Sequence, residues 1–228
     1  MFSQFRVMLI RFWRSDAGLS AFLALLILGV LVLHPLAPGW TFSQIVNDIV
    51  FSLLLIGGIA AASERPWAMA AMSFLTAIVL ILRWALRIVP STGLAEWHAV
   101  FQCLDFGLFT LVVMAQVFRD GPVTYHRIEG AIAVYLLLGF CWAGAYELVA
   151  LHDPGAFAGP LGKGEVVIQS WVYFSYATLS TVGYGDITPV DPFARSLAVL
   201  EALVGQLYPA ILIARLVSQE VEDRRRRD

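Results

Sequence analysis

The segment from residue 178 to 186 reads Thr-Leu-Ser-Thr-Val-Gly-Tyr-Gly-Asp and sets two glycines two positions apart among hydroxyl side chains. Glycine adopts backbone conformations that residues with a Cβ avoid. The carbonyl oxygens of Thr181, Val182, Gly183, Tyr184 and Gly185 can therefore point the same way. Four such segments around an axis would stack rings of carbonyls, with a ring of Thr181 hydroxyls, that replace the hydration shell of a potassium ion. The chemistry predicted from these residue types is coordination of a monovalent cation by backbone oxygens.

A glycine-rich turn between two buried helices is the simpler interpretation of the same segment. A bare Gly-x-Gly would favour that turn. The full run, with its threonine-rich approach and a strongly apolar stretch on each side, favours the ion-coordinating filter instead.

The composition is typical of an integral membrane protein. Hydrophobic residues make up 59% of the 228 residues, charged residues 14%, and the mean hydropathy is +0.77, whereas a soluble domain carries about a quarter charged residues. A helix that crosses the hydrocarbon core needs roughly 20 residues. Spans are predicted near 17–35, 42–62, 67–89, 97–118, 127–151 and 193–217. A further apolar stretch, 165–179, is too short to cross the membrane and precedes the filter segment as a re-entrant pore helix would.

At residues 181–186 the sequence resembles the signature of the tetrameric potassium channels, Thr-Val-Gly-Tyr-Gly-Asp. Pro189, Arg195 and Gly205 fall where small bacterial potassium channels carry a proline, an arginine and a gating-hinge glycine. The resemblance covers about residues 125–218, and the first half of the chain is similar to six-helix channels only in helix count. It implies an all-α membrane protein of six spanning helices with a re-entrant pore helix, a selectivity filter and a tetrameric pore.

The same resemblance implies a homotetramer in contact with membrane lipids, with potassium ions bound in the filter and no cofactor. One chain supplies one filter strand, whereas a ring of carbonyls needs four. The near-neutral net charge of -2 argues against nucleic acid as a partner. We find no nucleotide-binding motif and no paired nucleophile and base, so we expect neither nucleotide binding nor enzymatic activity.

The chain divides into five predicted segments, with the domain boundary at the loop that follows the fourth span. Lysine and arginine divide eleven to four between the two sides of the predicted spans, which predicts cytoplasmic termini in a multi-pass inner (plasma) membrane protein. The segments are an interfacial helix at 1–16, a four-helix peripheral domain at 17–118, a cytoplasmic linker at 119–126, a pore domain at 127–218 and a charged tail at 219–228.

Six residues around the filter are candidates for supporting it: Thr178, Ser180, Asp186, Trp171, Tyr173 and Glu201. Asp186 would attract cations at the outer mouth and hydrogen-bond to Trp171 or Tyr173. The favoured role of Trp171 and Tyr173 is instead that of ordinary aromatic residues that pack around the filter. Glu201 is an ionisable residue at membrane depth, which makes it a functional candidate. It would either brace the filter by accepting hydrogen bonds from Ser180, Thr178 or Tyr173, or act as a proton sensor.

Gly205 and Pro209 lie four residues apart in the last span and predict a kink there. Proline removes a backbone hydrogen bond and clashes with the preceding turn. The kink would serve either as a gating hinge or as a static bend that shapes the pore.

Charges in the peripheral domain do not follow a voltage-sensor pattern, because the fourth span, 97–118, contains no lysine or arginine. Steep voltage gating is therefore not expected. Asp48, Arg83, Arg87 and Asp105 all fall in the outer half of the predicted bundle and would pair as a fixed ion cluster. A residual voltage or proton sensor is the alternative role for them.

Cys103 and Cys141 both lie inside apolar spans, where a buried small side chain is the usual role. A disulfide or a metal site is not expected.

These patterns together predict a potassium-selective channel that conducts passively. The alternatives are a weakly selective monovalent cation channel and a non-conducting scaffold or modulatory subunit.

Overall fold

The computed structural model describes residues 66–119, 125–161 and 165–227, together with Leu23, Ala24, Ile27 and Ser52, which are helical. The predicted interfacial helix, most of the predicted spans at 17–35 and 42–62, and Asp48 lie outside the described residues.

Five helices account for most of the described chain: α1 (Pro66–Ile88), α2 (Thr92–Val117), α3 (Tyr125–His152), the short α4 (Glu165–Leu179) and α5 (Pro192–Arg227). All except α4 contain an apolar stretch of 22 to 28 residues, long enough to cross a membrane. These four helices coincide with the third to sixth predicted spans. The chain is therefore a multi-pass, largely helical membrane protein, as predicted. Of the six predicted spans, the described residues test only these four.

Two of the helices begin at a side chain that caps exposed backbone N–H groups. Ser91 Oγ accepts a hydrogen bond from Leu94 N at the start of α2. Asp191 Oδ1 accepts from Phe193 N at 2.8 Å and Ala194 N at 3.1 Å at the start of α5. Pro192, the first residue of α5, lacks the N–H that such a position leaves unpaired.

An aromatic core joins the peripheral half of the chain to the pore half. Phe106 of α2 stacks on Phe140 of α3, with ring centroids 5.0 Å apart. Phe140 in turn meets the edge of Tyr176 of α4 at 6.2 Å. A contiguous apolar contact therefore runs from α2 through α3 to α4.

The loop between α3 and α4 packs against the segment that follows the filter. Strand β1 (Phe157–Ala158) pairs antiparallel with β2 (Thr188–Pro189), with Phe157 opposite Pro189. Gly159 follows at a φ of +132°, and a Cβ there would lie 2.2 Å from the carbonyl oxygen of Asp186. The sequence patterns did not predict these two short strands, because two residues show no periodicity.

At the opposite end of the molecule, α5 is held to the peripheral half. The Arg215 guanidinium donates a hydrogen bond to the Phe118 carbonyl and lies 5.3 Å from the centroid of the Phe118 ring. Arg127 donates to Gln219 Oε1 at 3.3 Å. Helix α5 continues without a break to Arg227, so the predicted charged tail is helical over nearly its whole length.

Helices α1 and α2 share a polar contact at membrane depth. The Thr76 hydroxyl of α1 lies 3.2 and 3.1 Å from the two carboxyl oxygens of Asp105 of α2, and both side chains are buried. Arg83 interacts electrostatically with Glu147 of α3. The pairing of Asp105 with arginines stays a prediction, while Thr76 and Glu147 are polar partners that sequence reasoning did not name.

We predict that Thr76→Val lowers the free energy of unfolding by about 1–2 kcal/mol, because the buried Asp105 carboxyl loses a hydrogen bond. Thr110→Val is the matched control, since the equally buried Thr110 hydroxyl bonds to the Phe106 carbonyl of its own helix. The measurement is thermal unfolding of the purified protein in detergent. Equal melting temperatures for the two variants would contradict the prediction.

Candidate functional site

The segment predicted to be the filter begins at the C-terminal end of α4. Backbone N–H groups after the helix turn back to its last carbonyls: Thr181 N donates to Thr178 O at 2.9 Å and Gly183 N donates to Ala177 O at 3.0 Å. These bonds satisfy carbonyls that a helix end leaves unpaired. The start of the segment is therefore held firmly to the pore helix.

Beyond that point the backbone alternates in conformation. Thr181, Gly183 and Gly185 have φ values of +59°, +54° and +76°, and the intervening Val182 and Tyr184 do not have positive φ. Within the described ranges, Thr181 is the one non-glycine residue with a positive φ. A β-branched residue in that region is strained, and such strain persists where the surrounding structure holds the backbone in place.

The side chains between the left-handed residues lie at the surface of the single chain. Val182 is 54% exposed and Tyr184 is 71% exposed. The Tyr184 ring stacks on Tyr173 of α4 at 6.1 Å. Tyr173 also interacts electrostatically with Asp186, whose Oδ1 accepts from Ile187 N at 3.0 Å.

Three of the predicted supporting residues contact α4 or the outer loop. The Thr178 hydroxyl donates to Phe174 O at 2.8 Å and the Ser180 hydroxyl donates to Tyr176 O at 2.6 Å, so both bond to backbone carbonyls of α4. Trp171 is buried against Phe157, with centroids 4.8 Å apart. Its indole N–H finds no acceptor among the described residues.

Glu201 of α5 lies at the centre of a buried polar cluster behind the filter. Its Oε2 accepts a hydrogen bond from the Tyr146 hydroxyl of α3, and its Oε1 lies 2.6 Å from the Ser175 hydroxyl of α4. The same hydroxyl lies 2.8 Å from the Gly139 carbonyl of α3. Glu201, Tyr146 and Ser175 are all inaccessible to solvent in the chain, so this cluster joins α3, α4 and α5 at one point.

The partners of Glu201 differ from those that the sequence suggested. Ser180 and Thr178 bond elsewhere, and Tyr173 faces Asp186. Tyr146 and Ser175 were not singled out, although each is a polar residue within an otherwise apolar helix that has to find a partner at membrane depth. A further hydroxyl, Tyr135, donates to the Leu179 carbonyl at 3.2 Å.

Gly205 lies where α5 crosses the end of α4. A Cβ at Gly205 would lie 1.9 Å from the Leu179 carbonyl oxygen and 2.7 Å from its carbon. No side chain other than hydrogen fits at that position without a backbone shift. The structure therefore gives Gly205 a packing role at the base of the filter, in addition to the hinge role predicted for it.

The remaining residues predicted from the sequence lie just before α5, near its start and within it. Arg195 Nε donates to the Pro189 carbonyl at 3.2 Å, which holds the segment after the filter to the helix. Pro189 itself is part of β2. Pro209 lies inside α5, which continues beyond it.

Comparison with known proteins identifies the class of protein. Residues 132–222 match the model of a family described as ion channel, and this range contains α4, the filter segment and nearly all of α3 and α5. This part of the chain is therefore similar to ion-channel domains, which agrees with the predicted resemblance to the potassium channel family. The prediction that the chain is a channel and not an enzyme agrees with the match.

Three curated relatives illustrate how similar this chain is to known proteins. Protein LctB of Geobacillus stearothermophilus is 42% identical over 36% of this chain and 62% of its own length. Two pore potassium channel c of Oryza sativa subsp. japonica is 36% identical over 38% of this chain and 18% of its own. Voltage-gated potassium channel Kch of Escherichia coli (strain K12) is 27% identical over 64% of this chain and 31% of its own. The matches thus span less than two thirds of each relative. No solved structure matches at a significant level.

We predict that Gly205→Ala lowers the melting temperature of the purified protein, because overpacking against the Leu179 carbonyl costs about 1–3 kcal/mol. Gly93→Ala is the matched control, since a Cβ there meets nothing within 4 Å. If Gly205 acted only as a hinge, Gly205→Ala would leave the melting temperature unchanged and would alter gating alone. An unchanged melting temperature would therefore contradict the packing role.

We predict that Glu201→Leu destabilises the protein by about 2–4 kcal/mol, because the Tyr146 and Ser175 hydroxyls both lose their carboxyl partner in a buried site. Glu201→Gln keeps a polar group of the same length and is expected to retain most of the stability. Thermal unfolding of both variants in detergent is the measurement. If the leucine and glutamine variants melt together, Glu201 does not brace the filter.

Proposed function

We propose that four copies of this chain form a potassium-selective channel, in which Thr181, Val182, Gly183, Tyr184 and Gly185 of each copy line the narrow part of the pore. The observation that carries the proposal is the alternating sign of φ from Thr181 to Gly185 at the end of a short helix. Alternation turns successive peptide planes so that their carbonyls can face one side, as rings of ion ligands require.

The exposure of the filter segment supports assembly around an axis. The apolar side chain of Val182 and the ring of Tyr184 lie at the surface of the single chain. Leu203, Leu207 and Ile211 of α5, at i, i+4 and i+8, are each more than half exposed. These surfaces would be covered by neighbouring subunits or by lipid in a tetramer. One chain alone cannot surround an ion.

Electrostatics also favour a cation at this position. The C-terminal end of α4, with its partial negative charge, adjoins the filter at Leu179. Asp186 adds a carboxylate at the outer end of the same segment, and its contact with Tyr173 holds it beside the pore helix. A potassium ion is the substrate that such a site would pass, bound by oxygens and without a cofactor.

Opening of this channel is expected to depend weakly on voltage. Helix α2, the last of the peripheral helices, contains no lysine or arginine, and each elementary charge moved across the field contributes only about 2.3 kcal/mol per 100 mV. The proposed orientation, with the α5 end in the cytoplasm of a cell with an inner membrane, follows from the distribution of positive residues.

The flexible point of α5 is proposed to lie at Pro209. On the N-terminal side of Pro209, Gly205 packs on the Leu179 carbonyl and the Tyr208 hydroxyl donates to Ala131 O at 2.8 Å. Both contacts hold the outer part of α5 to the rest of the pore domain. Pro209 lacks the N–H for the next helical hydrogen bond, so movement of the cytoplasmic part would begin there.

We predict that the purified protein in liposomes passes potassium, excludes sodium and is blocked by barium at clamped potentials of both signs. Gly183→Ala should abolish selectivity or flux, because alanine at a φ of +54° is strained by about 1–2 kcal/mol. Gly93→Ala is the control that should conduct normally. The measurements are ion flux and the reversal potential in mixed potassium and sodium.

The other outcomes separate the alternatives. Equal potassium and sodium flux would indicate a weakly selective cation channel. Flux at only one sign of the membrane potential would indicate that Arg83 and Arg87 act as voltage sensors. A stable protein that passes neither ion and does not form a homotetramer would indicate a scaffold or modulatory subunit.

A further inference from the structure

The two cysteines of the chain, far apart in sequence, meet in the structure. Cys103 of α2 and Cys141 of α3 place their sulfur atoms 3.9 Å apart. Each sulfur also lies 3.7 Å from the backbone carbonyl oxygen of the other residue. The arrangement is reciprocal, with each thiol directed toward the opposite helix.

The backbones of α2 and α3 run close together at this point. A Cβ placed on Gly144 would lie 3.5 Å from Cys103 Cβ and 3.6 Å from Cys103 Cα. Gly107 faces the Cys141 sulfur in the same way, at 3.8 Å. Glycines one turn from each cysteine therefore allow the two helices to approach closely beside the thiols.

The position of the pair lies between the two halves of the protein. Cys103 belongs to the peripheral half, and Cys141 belongs to the ion-channel domain. Next to Cys141, Phe140 packs on Phe106 of α2 and on Tyr176 of the pore helix. A covalent bond here would join α2 of the peripheral half to α3, which packs on the pore helix α4.

We propose that Cys103 and Cys141 form a redox modification site, a dithiol that a small uncharged peroxide converts to a disulfide joining α2 to α3. Both thiols are free and only partly buried in the structure, and an uncharged peroxide can enter the apolar environment that a charged oxidant cannot. The sulfur atoms need to approach by only about 2 Å to reach bonding distance.

The reaction balances with hydrogen peroxide as the oxidant. One thiol loses its proton and attacks a peroxide oxygen as a thiolate; the hydroxide that leaves takes up that proton, which gives a sulfenic acid and one water. The second thiol then attacks that sulfur, and the hydroxyl leaves with a proton as a second water. Two thiols and one peroxide thus become one disulfide and two waters, with the peroxide reduced and the sulfur atoms oxidised.

The experiment counts thiols in the purified full chain. The protein in detergent is treated with hydrogen peroxide, quenched, denatured and labelled with a polyethylene glycol maleimide that shifts gel mobility once per thiol. Because the chain has two cysteines, we expect two labels before treatment and none after it. The intact mass should fall by two hydrogen atoms, without covalent dimers, and dithiothreitol should restore both labels.

A displaced pair is the matched control. Cys103→Ser combined with Leu104→Cys keeps two thiols but moves one of them to the next position of α2, where the Leu104 side chain is 53% exposed. This variant should keep its labels or form crosslinks between chains. Retention of both labels by the native chain, or equal loss in the displaced pair, would overturn the proposal.

The effect on conduction rests on the proposed function and is tested separately. Oxidised protein in liposomes should show lower barium-sensitive potassium flux than reduced protein, and Cys103→Ser and Cys141→Ser should make the flux insensitive to peroxide. Loss of thiols with unchanged flux would overturn the regulatory effect. Loss of thiols in a protein that never conducts would overturn the channel function and leave the redox site established.

Discussion

The contact between the end of α4 and the middle of α5 is the constraint on which the pore half depends. At Gly205 the α5 backbone passes directly against the carbonyl of Leu179, the last residue of α4. The segment that starts two residues later carries the alternating, partly strained backbone. That backbone persists only if the helix end from which it starts cannot move, because a relaxed turn would return Thr181 to an ordinary conformation.

Three side-chain hydrogen bonds between α3, α4 and α5 reinforce this contact. Glu201 accepts from α3 and α4 at one point, and Tyr135 of α3 donates to the Leu179 carbonyl itself. In the apolar interior of a membrane protein an unpaired polar group finds no water, so hydrogen bonds between such groups are strongly favoured. The polar residues of the apolar helices are therefore the residues that specify how α3, α4 and α5 are arranged.

The peripheral half is joined to this assembly by contacts of several kinds. Aromatic contacts join α2 to α3 and then to α4, while Arg215 joins the C-terminal part of α5 to Phe118. Glycines at the crossing of α2 and α3 bring the two thiols together. Helix α2 carries no basic residue within its length, and its described contacts with α3 are made by packed aromatic, glycine and cysteine residues.

The sequence by itself determined the elements that have a local signal. Hydrophobic length located the four helices that the structure describes as possible spans, and the short apolar stretch before Thr181 was correctly predicted as α4, because burial in lipid needs a fixed number of apolar residues. The spacing of Gly183 and Gly185 likewise indicated the backbone freedom of the filter. The partners of Glu201, the packing role of Gly205, the strand pair at Phe157 and the meeting of Cys103 with Cys141 were decided by the tertiary structure alone. Each depends on where one helix crosses another, and that distance is set by the summed packing of many side chains, which no local pattern records.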